Sequence, residues 1–177
     1  FLNEHKNHIL DISVYSPEGN QISIEIRKRI EAVARTVVEQ LQYVGVLCIE
    51  FFISKQGDLL VNELAPRPHN SGHLTIEGFR CSQFEHQLRA ICGLNPGSFS
   101  PLSVATVMVN LLGEDLVSLD NPERMLEATG IEDAHLHLYG KSKAVTGRKM
   151  GHITARGSSI EEAKARAEKY RELLRQV

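Results

Sequence analysis

Two strand-like runs, Val44 to Ile53 and Asp58 to Leu64, are separated only by Ser54-Lys55-Gln56-Gly57. Both runs are rich in β-branched and aromatic residues, and so short a polar, glycine-containing connection leaves them one good partner, each other. The spacing predicts an antiparallel hairpin. If the turn spans Lys55 to Asp58, Ser54 faces Leu59, Phe52 faces Val61 and Glu50 faces Glu63. Directly opposed residues have Cβ atoms about 4.5–5.5 Å apart, and like charges there repel. Glu50 also shares its strand face with Val46, Cys48 and Phe52. Two carboxylates meeting on such a surface must share a proton or a cation. A hard divalent ion such as Mg²⁺ fits, because carboxylate and phosphate oxygens complete its octahedron. Asn62 points to the other face by strict alternation and joins the pair only if a bulge breaks the pleat. A solvated sheet face, or a slipped register, is the competing reading of the same spacing.

Around the hairpin the chain has mixed character. From Ile22 to Leu41, apolar residues recur every three or four positions, predicting an amphipathic helix. Ala65 to Gly78 contains two prolines and two glycines and reads as a loop. Ser82-Gln83-Phe84-Glu85 has the form of a capping box, opening a helix that stops at Gly93. Asn95 to Ser103, with Pro96 and Pro101, is the candidate boundary, dividing the chain into residues 1–98 and 99–177. Strands follow over Ala105 to Leu111, Ala134 to Tyr139 and His152 to Ala155. Asn121-Pro122 opens a short helix ending at Gly130, and Ser159 caps a closing helix that runs to about Gln176. The order is α+β, without the regular alternation of a doubly wound sheet.

Composition removes several classes of function. A formal net charge of -2 gives no electrostatic footprint for nucleic acid or an anionic membrane. No apolar run approaches the length of a membrane span. Cys48, Cys81 and Cys92 form no even disulfide framework, and Cys48 within an apolar run reads as a buried reduced thiol. These features predict a cytoplasmic protein. The first residue is Phe1 and not Met, so a fragment or processed chain is expected.

The loop Ala65-Pro66-Arg67-Pro68-His69-Asn70-Ser71-Gly72-His73 follows directly from Glu63. Arg67 offers a planar fork of donors, while His69, Asn70, Ser71 and His73 add short polar groups on a proline-stiffened frame. Beside a metal site this suits a small oxyanion such as bicarbonate. Zinc binding through His69 and His73 is a second reading, opposed by the helix-breaking Pro68 and Gly72. An ordinary polar surface loop is a third. Farther on, Lys141 to Lys149 is either an anion-binding or a solvated basic loop.

The run Tyr43 to Phe52, followed by Val61-Asn62-Glu63-Leu64-Ala65-Pro66-Arg67-Pro68-His69-Asn70-Ser71-Gly72-His73, resembles the metal-binding core of the 5-(carboxyamino)imidazole ribonucleotide synthetase family. These are ATP-grasp ligases, the ATPase subunit of phosphoribosylaminoimidazole carboxylase. The resemblance continues through Ser82-Gln83-Phe84-Glu85 and Gly147-Arg148-Lys149-Met150-Gly151-His152. It implies the C-terminal half of an ATP-grasp fold, an antiparallel sheet with helices, followed by a small β-rich subdomain. It implies that ATP phosphorylates bicarbonate and that the carboxyl group passes to the amine of aminoimidazole ribonucleotide in purine synthesis. Glu50 and Glu63 would hold Mg²⁺ against ATP, with Asn62 and His5 (in Asn3-Glu4-His5) at the nucleotide. Arg67, His69 and Asn70 would lie at the bicarbonate and acyl-phosphate pocket. Ser71, Gly72, His73, Lys141, Arg148 and Lys149 would take the substrate, the basic residues meeting its ribose phosphate.

Two departures stand out. Around Val145-Thr146-Gly147 many relatives carry Arg-Pro-Gly, so one phosphate contact is either absent or replaced by Lys143. The family's glycine-rich phosphate loop and ATP-contacting lysines are not among these residues, so the chain alone is expected to be inactive. Rivals are a formate-dependent glycinamide ribonucleotide ligase and a non-catalytic substrate-binding module. A homodimer, and fusion to a mutase domain as in fungal relatives, are further implications of the resemblance.

Overall fold

The computed structural model describes residues 1–17 and 22–176. Strands β1 (Leu2–Lys6) and β2 (Ile9–Tyr15) precede helix α1 (Ile24–Leu41) and the hairpin β3 (Cys48–Ile53) and β4 (Leu59–Ala65). A 3₁₀ turn at Asn70–Gly72, the single-turn α2 (Thr75–Gly78) and α3 (Gln83–Ile91) come next. Then follow β5 (Ala105–Leu112), α4 (Pro122–Thr129), β6 (Ala134–Leu138), β7 (Lys149–Gly157) and α5 (Ile160–Arg175).

Five strands form one antiparallel sheet in the order β1-β2-β5-β7-β6, and β3-β4 stand apart as a two-stranded sheet. The sequence reading missed β1 and β2 altogether. They pair with each other across the two-residue turn Asn7-His8, whose positive φ angles fall on residues other than glycine, and β2 pairs with the distant β5 through contacts such as Ile12↔Val109. The larger sheet therefore crosses the boundary drawn at residues 98 and 99, uniting strands from both sides of it.

β5 is the axis of the molecule. Its residues Ala105, Val107, Val109 and Leu111 are fully buried and pack, with Ile12, Val14 and Ile153, against Ala163, Ala167, Tyr170 and Leu174 of α5. Side chains alternate along a strand, so Thr106, Met108 and Asn110 face the other way. Met108 packs there with Leu10 and Leu74 beneath the loop that follows β4. Burial on both faces is why β5 reads as a nearly continuous apolar run. Gly78 lets α2 lie flat on this face, since a Cβ there would come within 2.8 Å of Thr106 Oγ1.

The helix caps follow the sequence in part. Ser23, Ser82 and Ser159 each accept the N–H three residues on. The reciprocal half of the expected box at Ser82 is not made, because the Glu85 carboxylate turns to Arg89, whose Nε donates to it at 2.8 Å. Among the described residues no helix is long and apolar enough to cross a membrane.

Candidate functional site

The hairpin does bring its glutamates together. Glu50 and Glu63 are Cα partners, with Ile49↔Leu64 and Cys48↔Ala65 continuing the register. Beyond Glu50 the register slips by one, to Phe51↔Val61, Phe52↔Leu60 and Ile53↔Leu59. The expected Phe52–Val61 and Ser54–Leu59 oppositions are thus corrected. The cause is the turn: Ser54 N–H donates to Asp58 O and Gly57 N–H to Ser54 O, with Gly57 at φ +87, closing the loop one residue tighter. The leftover residue is Asn62, which bulges, and its Nδ2 donates to Glu50 Oε2 at 3.3 Å. A bulge re-aims a side chain in this way.

His69 bridges the carboxylates. Its Nε2 lies 3.1 Å from Glu63 Oε1 and its Nδ1 3.6 Å from Glu50 Oε1. Ser71 N–H points at Nδ1 (3.4 Å) and Ser71 Oγ lies 2.8 Å from it. Nδ1 is therefore the acceptor, and Nε2 carries the proton donated to Glu63. The Glu50 side chain is 15% exposed against 51% for Glu63, so one carboxylate is sheltered and the other is wet. Cys48 stands beside Glu50 on the same strand face, and its thiol hydrogen-bonds to Ser71. Burial, reinforced by the Glu50 charge, pushes that thiol above its ordinary range.

Gln83 holds the loop in place. Its Oε1 accepts His69 N–H at 2.9 Å, and its Nε2 donates to His69 O at 2.8 Å and toward His73 Nδ1 at 2.9 Å. Gly72 is required here, since a Cβ would meet Gln83 Oε1 at 2.4 Å. An amide NH₂ only donates, so His73 accepts at Nδ1 and is neutral. Burial, with the neighbouring His69, Lys149 and His137, accordingly lowers its pKa to about 4. The zinc reading through His69 and His73 is not what the structure assembles: the two rings turn to different partners.

Asn70 joins the loop to the larger sheet. It exchanges two amide hydrogen bonds with Asn110, at 3.0 and 2.8 Å, and its Oδ1 also accepts from Lys149 Nζ at 2.9 Å. Asn110 is 1% exposed and spends its remaining donor on Leu10 O. Burial lowers the Lys149 pKa, against the opposing pull of Glu50 and Glu63. Tyr139 Oη lies 3.4 Å from Asn70 Nδ2 and 2.9 Å from His152 Nδ1. His152 is buried beside His137, with rings stacked at 4.5 Å, and its pKa falls to about 3 through desolvation and the two flanking histidines. His137 itself is raised by its hydrogen bond to Glu77.

The remaining candidates lie farther out. His5 lines the wall of a cavity of about 580 Å³ that also contains Glu50, His69 and Ser71. Arg67 is exposed and donates to Pro68 O at 3.0 Å, away from the glutamates. Lys141 is exposed and hydrogen-bonds to Lys149 O, and Arg148 is exposed on the same loop. Sequence reasoning missed Asn110, Tyr139 and the clamp made by Gln83. One signal was available: an asparagine in the middle of an apolar strand demands a buried partner.

A polar loop laid across a carboxylate-bearing hairpin defines the class. Residues 2–84 match the ATP-grasp domain and residues 106–166 the phosphoribosylaminoimidazole carboxylase C-terminal domain. The N5-carboxyaminoimidazole ribonucleotide synthase of Vibrio cholerae is 50% identical over 128 residues, covering 72% of this chain and 31% of that protein. The crystal structure of the Thermus thermophilus synthetase is 44% identical, with a TM-score of 0.79 over 95% of this chain and 44% of its own. The Aspergillus clavatus synthase, in complex with ADP and 5-aminoimidazole ribonucleotide, has 29% identity and a TM-score of 0.81 over 99% of this chain and 46% of its own. The chain belongs to the N5-carboxyaminoimidazole ribonucleotide synthase family of ATP-grasp enzymes. It spans about a third of the length of the curated relatives it matches.

Proposed function

We propose that these residues serve an ATP- and bicarbonate-dependent carboxylation of 5-aminoimidazole ribonucleotide to its N5-carboxyamino product. The observation that carries this reading is Glu50 opposite Glu63, bridged by His69, with Glu50 and His69 on the wall of the 580 Å³ cavity. The set of hard oxygen donors fits Mg²⁺. Glu50 and Glu63 would hold it beside the nucleotide, with Asn62 steadying Glu50. Bound there, the ion would neutralise the phosphate charge on ATP.

The protein's own groups supply the rest. His69 Nε2–H fixes the Glu63 carboxylate, and Gln83 fixes His69. Lys149, held by Asn70, is a half-buried cation that feels the charges of Glu50 and Glu63 and offers a charge-assisted donor to a bicarbonate or acyl-phosphate oxygen. Arg67, Lys141 and Arg148 are exposed cations that would be available to meet the dianionic ribose phosphate.

The reading is tested in a chimaera in which this chain replaces the matching segment of the Vibrio cholerae relative. With ATP, bicarbonate and 5-aminoimidazole ribonucleotide, mass analysis should find the carboxylated nucleotide. Product formed only from formate and glycinamide ribonucleotide would transfer the assignment to the formate-dependent ligases. A folded chimaera that binds aminoimidazole ribonucleotide yet turns over neither pair would favour a non-catalytic binding module.

A further inference from the structure

Cys48, Glu50 and His69 each turn one ligand atom to a common point, the three atoms lying within 4.8 Å of one another. We propose that they form a binding site for zinc, which shares Glu50 with the hard-oxygen site proposed for the nucleotide and differs from it in its sulfur and nitrogen donors.

Strand alternation supplies the first two donors. Cys48 and Glu50 are two residues apart on β3 and project from one face. The third comes from the clamped loop. Because Ser71 N–H and Glu63 fix the His69 tautomer, the ligating lone pair is on Nδ1, where a metal would displace the Ser71 hydrogen bonds, and it lies 3.6 Å from Glu50 Oε1. A sulfur, an oxygen and an imidazole nitrogen are a donor set that Mg²⁺ disfavours and Zn²⁺ prefers. In a tetrahedral zinc site with bonds of about 2.0–2.3 Å, donor atoms sit about 3.3–3.8 Å apart. Side-chain adjustments on the order of 1 Å therefore close the site. The fourth position faces the cavity, leaving room for a water.

The surroundings match what a zinc-ligating histidine needs. Such a histidine almost always donates its other N–H to a carboxylate or carbonyl, which fixes the ring and raises its basicity. Here Nε2–H meets Glu63 Oε1 at 3.1 Å. Glu63 is thus a positioning residue for zinc. On binding, the thiol S–H bond breaks heterolytically, its proton passes to solvent and the sulfur pair forms the zinc bond, with no change of oxidation state. Zinc held in this way draws Glu50 toward Cys48 and away from its partner across the hairpin, so zinc and a nucleotide-bound magnesium exclude one another.

Cobalt(II) reports on the site in this chain as it stands. Added to the freshly reduced protein without nucleotide or magnesium, Co²⁺ should produce a near-ultraviolet thiolate-to-cobalt charge-transfer band, bleached by one equivalent of Zn²⁺. The band should persist in Cys81→Ser and Cys92→Ser and vanish in Cys48→Ser, with circular dichroism checking the fold. His69→Gln and Glu63→Gln should keep the thiolate band while weakening zinc binding, Glu63→Gln by about 10–100-fold. Absence of the band in the native chain, its survival in Cys48→Ser, or unchanged affinity in His69→Gln would overturn the proposal. The assay holds no nucleotide, so its failure leaves the carboxylase reading standing, and failure of that reading leaves the zinc site standing.

Discussion

The five-stranded sheet and the β3–β4 hairpin are built from similar residues and end in opposite states. Along β5 every residue from Ala105 to Leu111 is buried, and α5 buries Ala163, Ala167, Tyr170, Leu173 and Leu174 over it. Across the hairpin, Phe52, Leu60, Val61 and Leu64 are each about half exposed, and α1 buries none of its residues. One region is a closed core, the other a displayed surface that carries Glu50 and Glu63. Local stability tracks buried apolar contact, so the glutamates sit on the softer element, while Asn70 and Lys149 are anchored to the harder one. Asn110, reaching out of the core strand to Asn70, is the joint between the two.

The contrast is breakable by mutation. Tyr170→Ala, at 1% exposure under the sheet, should cost about 3–5 kcal/mol in chemical denaturation, as large aromatic truncations in cores do. A loss near that of a surface residue would mean α5 is not part of the core.

A smaller effect should follow pH. His152 and His73 have folded pKa values depressed to about 3 and about 4, below the unfolded value near 6.5. Below that value the unfolded chain binds more protons, so stability falls as pH drops from about 6.5 toward the folded values. For the buried His152 the loss between pH 7 and 5 is about 2 kcal/mol. His137, raised by Glu77, works in the opposite sense: its contribution is complete below about 6.5 and fades as pH rises through its folded value. Denaturation midpoints of the native chain and of His152→Asn at pH 7 and 5 separate these. An equal pH slope in both proteins would reject the assignment to His152.

Asn110→Ala should cost about 1.5 kcal/mol, because Leu10 O and the Asn70 amide lose buried partners. It should also loosen Asn70 and its loop, seen as a larger rise in exchange over residues 66–78 than in β7. Least of all, Phe52→Ala, 54% exposed, should stay within about 0.5 kcal/mol in this chain. A core-sized penalty there would erase the distinction between the two regions.

The same contrast governs what could be read from sequence. The Glu50–Glu63 opposition was legible because a short turn sets the register locally. The slip to Phe51↔Val61 was not, since it depends on the Gly57 backbone and on the bulge at Asn62. α1 was legible from its apolar periodicity, and α3, α4 and α5 from their serine and asparagine caps. β1 and β2 were not, because their Asn7-His8 turn lacks the glycine that usually marks a tight hairpin, and β2's other neighbour, β5, is roughly a hundred residues away. Gln83 looked like an interior residue of a capping box, and only the fold over the loop makes it the clamp on His69.

The central claim is that two carboxylates facing one another across a hairpin serve the nucleotide. Glu63→Gln keeps the shape and removes the charge, so in the chimaera ATP turnover should fall by about 100-fold or more, beyond the 10–100-fold typical of losing only an outer-shell partner. Its circular dichroism spectrum should be unchanged. ATP turnover in Glu63→Gln equal to that of the parent chimaera would contradict the account.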